Sequence, residues 1–598
     1  LCSDMDNIYA QRIEQLRTLM RSKGWDAVIV TGSDPHNSEF PALRWKQVEW
    51  LSGFTGEAGD LVITLDHAGL WTDTRYFIQA ERQLAGTGIT LHKTRVPEQV
   101  LIPEWLSIQA SGYPEYIVAI DGLCVSSDFA DSLEGVCIVS VPDMLDLFRK
   151  DRPQIPQTPI FQIEPGESRA EKLKWLREAL VENGCDSILI TALDEIAWLL
   201  NVRASDIDYN PLVISNLTVS LDSAQWFVLR QDVEDPETED TLFAVGQDGV
   251  EILRYDALPE WIEDNAENCG RMWADRGSLN FHLASLIRGK GIPLSFLESP
   301  VRLRKAVKNP VEIQNIKKAH ILDGVVMERF LFWLERRIQD GDDVSEWDAA
   351  VKLGQLRTTI DDYQGDSFET ISAFGEDAAL PHYVTPRTNA PLIGRNGLYL
   401  CDSGGQFLNG TTDITRTVPI GRCSQLEKED YTLVLKGHIQ LAMAVFPAGT
   451  AGCQIDALAR EPLWRRRRNF GHGTGHGVGY FLGCHEGPQD VRQNFNSTAL
   501  LPGMVISDEP GIYREGQHGV RHENLLLTVE SGANGFGRWL EFEPLTMCHF
   551  DTSALLAELL DNDEREWLNA YNGKVRLSLS KYLSPDEQEW LRDKTRAI

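Results

Sequence analysis

Two aspartates near the middle of the C-terminal half of this 598-residue chain have the spacing of a paired site. Asp402 and Asp413 flank a turn rich in Gly and Asn, which is typical of a β-hairpin. If the hairpin closes symmetrically about positions 407–408, the two carboxylates face each other with Cβ atoms about 4.5–5.5 Å apart. Two like charges at that distance are unfavourable unless a cation lies between them. The pair therefore indicates a metal site, with two solvated turn formers as the alternative.

A second hairpin-like unit presents two glutamates. Glu509 lies in the segment D-E-P-G-I-Y, and Glu523 lies in R-H-E-N after a loop that contains glycine. Alternation along a strand puts Arg521 on the same face as Glu523 and turns His522 to the other face. Taken alone, this unit is equally compatible with glutamates on the protein surface.

Histidines lie between and before these units. His472 and His476 in H-G-T-G-H-G are four residues apart, as in helical zinc motifs. Glycine fills every second position and no Glu follows the first His, so we predict a non-helical backbone that approaches a ligand or metal closely. His485 in H-E-G-P and His382 in P-H-Y add two more imidazoles. Each of these segments alone is also compatible with a flexible loop or a structural histidine.

Together these residues predict a dinuclear metal site. Two Asp, two Glu and one His form a set dominated by hard oxygen donors, which suits Mn²⁺ or Mg²⁺ and also admits Zn²⁺, Co²⁺ or Fe²⁺. Four carboxylates carry four negative charges, which two divalent ions neutralise. Two ions about 3.5–4 Å apart can clamp the transition state of a hydrolysis.

The N-terminal half contains a repeat that predicts two tandem α/β domains. Each copy reads as an amphipathic helix, a glycine stop and a buried strand, A-V-I-V in the first copy and S-I-L-I in the second. The matching positions, 160 residues apart, are Leu16, Arg17, Met20, Gly24, Asp26 and Thr31 with Leu176, Arg177, Leu180, Gly184, Asp186 and Thr191. We assign residues 1–155 and 160–308 to these domains, with a proline-rich linker between them.

The rest of the chain is predicted to form a third, catalytic domain of α+β type. It covers residues 310–598, begins with a helical pattern from Glu312 to about Arg337, and ends in a helical extension after about Ala554. Its glycine-rich turns and alternating strands carry all the acidic and histidine candidates named above.

Composition excludes several classes of function. The net charge of −32 argues against a nucleic-acid partner, and the run Arg465–Arg468 is interpreted as a solvated surface turn. No apolar stretch approaches the roughly 18 residues of a membrane helix. The first residues lack the pattern of a signal peptide, and the ten cysteines are scattered without a C-x-x-C pair. We therefore expect a cytoplasmic protein without a membrane partner.

The motifs resemble aminopeptidase P, the X-Pro aminopeptidases of the creatinase/methionine aminopeptidase superfamily. The resemblance rests on D-S-G-x₇-T-D-x-T-R around Asp402 and Asp413, followed by H-G-T-G-H-G, H-E-G-P, D-E-P-G-x-Y and R-x-E-N. The N-terminal segments S-D-P-H and W-T-D-T-R-Y are similar to the long, three-domain form. The resemblance covers essentially the whole chain.

The resemblance implies a fold and a role for each candidate. It implies two creatinase-like α/β domains followed by a pita-bread catalytic domain, and a homodimer. The implied ligands of two divalent ions, with Mn²⁺ as first choice, are Asp402, Asp413, His476, Glu509 and Glu523, of which Asp413 and Glu523 would bridge. His382, His472 and His485 would contact substrate, and Tyr513 and Arg521 would orient carboxylates from behind.

The implied reaction is hydrolysis of the bond before a proline at position two of a peptide. A metal-bridging hydroxide would attack the carbonyl, Glu509 would shuttle the proton, and His485 with His382 would stabilise the oxyanion. Three alternatives stay open at this point. They are a prolidase restricted to X-Pro dipeptides, a metal-free creatinase-like hydrolase, and a non-catalytic scaffold that binds peptides or proteins. The extra N-terminal domain argues against the first, and the five intact ligands argue against the other two.

Overall fold

The computed structural model describes residues 2–229 and 234–598. The chain forms two units, Leu1–Val301 and Arg302–Ile598. The N-terminal unit contains two six-stranded sheets. The first sheet and its helices are α1 (Cys2–Lys23), β1 (Ala27–Val30), α2 (Gln47–Ser52), β2 (Asp60–Thr64), β3 (Ala68–Thr72), α3 (Phe77–Gln83), β4 (Thr90–Lys93), α4 (Ile102–Ala110), β5 (Ile117–Ile120), α5 (Ser127–Asp131) and β6 (Cys137–Ser140).

The second sheet repeats the strand order of the first. Its elements are β7 (Phe161–Gln162), α6 (Arg169–Glu182), β8 (Ser187–Ile190), α7 (Leu193–Leu200), β9 (Val202–Arg203), β10 (Ser215–Ser220), β11 (Ala224–Val228), α8 (Pro236–Gln247), β12 (Glu251–Arg254), α9 (Leu258–Asp264), β13 (Met272–Ala274), α10 (Phe281–Gly289) and β14 (Leu294–Phe296). The strand order is β4-β3-β2-β1-β5-β6 in the first sheet and β12-β11-β10-β8-β13-β14 in the second. Strands β7 and β9 pair with each other in a separate two-stranded sheet. The prediction of two similar α/β layers in tandem is confirmed.

A matched pair of aspartates shows how the repeat works physically. Asp26 accepts the backbone N–H of Ile117 at 2.8 Å, and Asp186 accepts that of Arg271 at 2.7 Å. Each aspartate lies just before the buried central strand of its sheet, and each partner lies at or just before the start of the parallel neighbour of that strand. The repeated aspartate therefore fixes the same strand pair in both copies.

The C-terminal unit is built from long helices around short antiparallel sheets. Its elements, after α11 (Pro300–Ala306), are α12 (Pro310–Gln339), α13 (Glu346–Arg357), β15 (Tyr363–Asp366), β16 (Ile371–Phe374), β17 (Gly397–Ser403), β18 (Gly405–Phe407), β19 (Gly410–Thr411), β20 (Ile414–Ile420), α14 (Gln425–Ala442), β21 (Val445–Pro447), α15 (Asp456–Trp464), β22 (Gly475–His476), β23 (Asp490–Val491), β24 (Val505–Asp508), β25 (Gly511–Arg514), β26 (His518–Arg521), β27 (Asn524–Asn534), β28 (Gly537–Pro544), α16 (Asn562–Leu579) and α17 (Pro585–Lys594).

Helix α12 opens this unit where the sequence predicted a long helix. Asn309 caps its N-terminus, and the Glu312 carboxylate accepts the backbone N–H of Asn309, which completes a capping box. Pro310 occupies the first turn, where its missing N–H costs nothing. None of the described helices, α12 included, has an apolar stretch long enough to cross a bilayer.

The hairpin that carries the two aspartates has a different register from the predicted one. In the ladder between β17 and β20, Asp402 faces Thr415 and not Asp413. Residues 404–413 leave this ladder, and part of that segment forms the small sheet β15-β18-β19. The predicted pairing of the two hairpin strands, with Asp402 opposite Asp413, was therefore wrong by two residues. Asp413 lies just before β20, and its carboxylate still comes within 4.8 Å of that of Asp402.

Helices α14 and α15 cross closely behind the sheets. A Cβ added at Gly437 of α14 would lie 2.2 Å from the backbone oxygen of Ala459 on α15.

The arginine run Arg465–Arg468 follows α15. Its first three residues are exposed as expected, but the interpretation as a solvated turn is wrong for Arg468, which is half-buried and pairs with Glu429 and Asp430 on α14.

We expect Gly437→Ala to destabilise the C-terminal unit by about 1–3 kcal/mol, because the added methyl group overlaps a backbone oxygen that cannot rotate away. The matched control is Gly573→Ala in α16, where no described heavy atom outside the local helix lies within 4 Å of the added Cβ. That change should stabilise the unit by roughly 0.5–1 kcal/mol. Thermal unfolding midpoints measure both effects, and equal shifts in the same direction would contradict the close crossing.

Candidate metal centre

Carboxylates from two strand pairs converge at one buried point. Oxygens of Asp402, Asp413 and Glu523 lie within 4.8 Å of one another, and so do ligand atoms of His476, Glu509 and Glu523. Nε2 of His476 lies 3.4 Å from Oδ2 of Asp413 and 3.3 Å from Oε1 of Glu509. The structure thus brings together all five residues that the sequence nominated as metal ligands.

The two glutamates meet at a break between two ladders. Strand β24 pairs with β27, and β25 pairs with β26, in one continuous register. Glu509 and Glu523 occupy the opposed positions in the gap between these ladders. Their own N–H groups bond outside the pair, that of Glu509 to the Thr474 carbonyl at 2.8 Å and that of Glu523 to the Thr415 carbonyl at 3.1 Å.

His476 is held in one orientation by its own strand. Its Nδ1 lies 2.9 Å from the Gly477 carbonyl, which can only accept a hydrogen bond, so Nδ1 is the donor to that carbonyl and Nε2 is the nitrogen that faces the carboxylates. The alternating glycines make this approach possible. A Cβ at Gly475 would lie 1.9 Å from the Ser507 carbonyl oxygen, and one at Gly477 would lie 2.0 Å from that of Glu486. Residues 471–479 form no helix, as the glycine spacing predicted.

The electrostatics of the cluster fit divalent cations. Burial, then the charges of Asp413, Glu509 and Asp402, raise the pKa of Glu523 well above its usual value. Burial is also the main cause that raises the pKa of Glu509 to about 7. Oδ1 of Asp402 is buried with no hydrogen-bond partner among the described residues. An unpaired lone-pair donor among crowded carboxylates is the arrangement that metal ions would relieve.

A chain of hydrogen bonds supports Asp402 from behind. The Arg521 guanidinium donates to Oδ2 of Asp402 and, at 2.8 Å, to the Tyr513 hydroxyl. Nε2 of His472 lies 2.8 Å from the same hydroxyl, and Nδ1 of His472 lies 2.7 Å from the Gly473 carbonyl. Tyr513 and Arg521 therefore occupy supporting positions, and His472 joins that chain. His522 points away and packs edge-on against Tyr431.

The other two predicted histidines, His485 and His382, lie on separate segments. The ring of His485 is exposed, and its centroid lies 4.3 Å from that of His476. His382 is half-buried in a segment tied to α13, because the neighbouring Tyr383 donates its hydroxyl hydrogen to the buried Glu346 at 2.7 Å. Of the two, His485 lies beside the carboxylate cluster, because its ring nitrogen comes within 4.8 Å of ligand atoms of Asp413 and His476.

Three further contacts to the carboxylates were missed by the sequence analysis. The Thr415 hydroxyl donates to Glu523 at 2.7 Å, and the Ser507 hydroxyl donates to Glu509 at 3.1 Å. Thr415 and Ser507 lie two residues from Asp413 and Glu509 along a strand, so the alternation rule could have placed them on the ligand face. The third contact is the Cys484 thiol, 3.2 Å from Oδ2 of Asp413. It had no signal in the sequence beyond its position next to His485.

Family models cover nearly the whole chain. Metallopeptidase family M24 matches residues 314–530, and the C-terminal region of that peptidase family matches residues 538–598. The creatinase/prolidase N-terminal domain matches twice, at residues 12–152 and 151–312.

Full-length relatives have the same extent. The chain is 34% identical to aminopeptidase P1 of Arabidopsis thaliana, over 98% of this chain and 99% of that protein. It is 35% identical to Xaa-Pro aminopeptidase 1 of Dictyostelium discoideum, over 98% of this chain and 96% of that protein.

Among solved structures, the chain is similar to the X-prolyl aminopeptidase of Caenorhabditis elegans, described as a cytosolic enzyme with a di-nuclear active site. That match has a TM-score of 0.93 and 32% identity, and it covers 99% of this chain and 100% of the other. An Xaa-Pro dipeptidase of Bacillus anthracis also matches, with a TM-score of 0.52 and 26% identity, but it covers only 64% of this chain.

We expect metal to stabilise the folded chain and Glu523→Gln to remove much of that gain. Ions that bind only the folded state stabilise it by mass action, by about 2.7 kcal/mol at one hundred times Kd. Replacing Glu523 should raise the thermal midpoint of the metal-stripped chain, because the amide removes the cost of burying an ionisable carboxyl group among other carboxylates. It should also reduce the increase that added Mn²⁺ produces. Glu530→Gln, an exposed site on β27, is the matched control. If Mn²⁺ raised the thermal midpoint of the Glu523→Gln variant as much as that of the natural chain, Glu523 would not be a metal ligand.

Proposed function

The chain belongs to the aminopeptidase P group of metallopeptidase family M24, and we propose that it is a dinuclear-metal aminopeptidase that releases the N-terminal residue before a proline. The observation that carries this proposal is the convergence of Asp402, Asp413, His476, Glu509 and Glu523 on one point. The full-length similarity to X-Pro aminopeptidases adds the substrate class. The dipeptidase of Bacillus anthracis lacks a counterpart for about a third of the chain, which favours the aminopeptidase over the prolidase alternative.

The five clustered side chains would hold two divalent metal ions, and we expect Asp413 and Glu523 to be the carboxylates that serve both. Mn²⁺ is our first choice because oxygen donors dominate the set, although Zn²⁺, Co²⁺ or Fe²⁺ would also bind such groups. When bound, the ions lower the pKa of a water molecule and polarise the carbonyl under attack. The Ser507 and Thr415 hydroxyls hold one oxygen each of Glu509 and Glu523. These bonds restrict how the two carboxylates can rotate.

The remaining groups would handle protons and the developing charge. Glu509 would accept the proton of the attacking water, because its carboxylate lies inside the ligand cluster, 3.3 Å from Nε2 of His476. His485, with His382, donates hydrogen bonds to the oxyanion. The leaving nitrogen belongs to proline and must be protonated before it departs, and Glu509 is the group that returns the proton. Proline has no amide N–H, so the enzyme must recognise its ring by shape.

Two further expectations remain part of the proposal. The Caenorhabditis elegans enzyme is described as cytosolic, which supports a cytoplasmic location. A homodimer is implied by the family resemblance. The partners of the site are peptides with proline at position two, and the net charge of −32 disfavours nucleic acid.

We expect metal-stripped protein to release free arginine from Arg-Pro-Pro only after Mn²⁺ is added, because the nucleophile depends on the ions. The dipeptide Arg-Pro should be cleaved more slowly than the tripeptide, whereas a prolidase would prefer the dipeptide. Asp413→Ala should abolish turnover, and Asp563→Ala, at an exposed position of α16, should leave it unchanged. Arginine release without metal, or from Asp413→Ala, would overturn the proposal.

A further inference from the structure

A buried ion pair on helix α15 lies behind the glycine-rich histidine segment. Asp456 and Arg460 are four residues apart on the helix, and the Arg460 Nε donates to Oδ2 of Asp456 at 2.7 Å. Their exposed fractions are only 2% and 1%. Neither residue belongs to a motif that the sequence analysis singled out.

Arg460 uses its other nitrogens to hold the backbone that carries His472. Nη1 donates to the Phe470 carbonyl at 2.8 Å, and Nη2 donates to the His472 carbonyl at 2.7 Å. The guanidinium carbon lies 3.8 Å from the centroid of the Phe470 ring. One planar cation thus fixes two carbonyl groups on alternate residues of the segment.

Asp456 holds the next part of the same segment. Its second oxygen, Oδ1, accepts the Thr474 hydroxyl hydrogen at 2.6 Å. The Thr474 carbonyl in turn accepts the N–H of Glu509 at 2.8 Å. Through Thr474, the ion pair is connected to His476, two residues later, and to the backbone of Glu509.

The physical need for this arrangement comes from the glycines. Residues 471, 473, 475 and 477 are all glycine, which lets the backbone approach its neighbours but leaves it many conformations to lose on folding. A buried ion pair adds little net stability, because desolvation of both charges offsets their attraction. Its value here is that it selects one conformation of a segment that would otherwise have several.

We propose that Asp456 and Arg460 are positioning residues for the metal centre, acting through Thr474 to set the directions of His476 and Glu509. This inference rests on the proposed function, since the centre that they position is the dinuclear peptidase site. Second-layer groups of metal sites commonly affect affinity or activity by about 10–100-fold. We expect an effect of that size here.

The test uses the full chain with Thr474→Val, which keeps the side-chain shape but removes the hydroxyl, and Thr474→Ser, which restores the hydroxyl. Mn²⁺ affinity is measured by calorimetry, and kcat and KM are measured separately with Arg-Pro-Pro. We expect Thr474→Val to weaken Mn²⁺ binding or lower kcat by about 10–100-fold with little change in KM. Thr474→Ser should recover most of the loss, which a general packing defect would not explain.

Arg460→Lys tests the contacts of Arg460 with the backbone of the histidine segment. Lysine keeps the charge but cannot donate to two carbonyl groups and Asp456 in one plane. The matched control is Arg465→Lys, which alters a pair of the same spacing, Glu461–Arg465, on the exposed side of α15. If both Thr474→Val and Arg460→Lys kept the Mn²⁺ affinity and the kcat of the natural chain, the inference would be overturned. If the natural chain fails to cleave Arg-Pro-Pro but Thr474→Val still weakens Mn²⁺ binding, the positioning role stands and the proposed function fails.

Discussion

The constraint on which the C-terminal unit depends is the electrostatic cost of placing four carboxylates at one buried point. Asp402, Asp413, Glu509 and Glu523 repel one another, and burial removes the water that would screen them. No folding force favours that arrangement by itself. The strand registers impose it, because β17 with β20, and β24 to β27, bring the four residues to adjacent ladder ends.

The scaffold around the carboxylates supplies compensating groups from several directions. Arg521 lies against Asp402. Arg416 is buried and donates to the carbonyl groups of Thr415 and Glu523, and also to the Tyr571 hydroxyl on α16. The C-terminal helices therefore contribute to the ligand framework and do not merely cover it. Arg521 compensates a carboxylate, whereas Arg416 satisfies backbone oxygens, and together these hydrogen bonds make the geometry stiff.

Helices α14 and α15 act as the rigid backing of the site. His438 on α14 lies 3.0 Å from the buried Asp508, the residue before Glu509. Asp430, on the same helix, pairs with Arg514 and His518 of the hairpin that carries Tyr513. The close crossing at Gly437 holds α15 against α14. Polar residues of α14 thus contact the segment of Glu509 and the hairpin of Tyr513, and polar residues of α15 contact the histidine segment.

The sequence alone predicted the five residues that converge in the structure, the non-helical histidine segment, helix α12 and the tandem α/β repeat. These features depend on residue type and on local periodicity, which the chain displays directly. The tertiary structure decided the register that pairs Asp402 with Thr415, the thiol beside Asp413, and the buried role of Arg460. These features join residues that are separated in the sequence or belong to unrelated motifs. Their physical cause is packing and hydrogen bonding between elements, which no local pattern encodes.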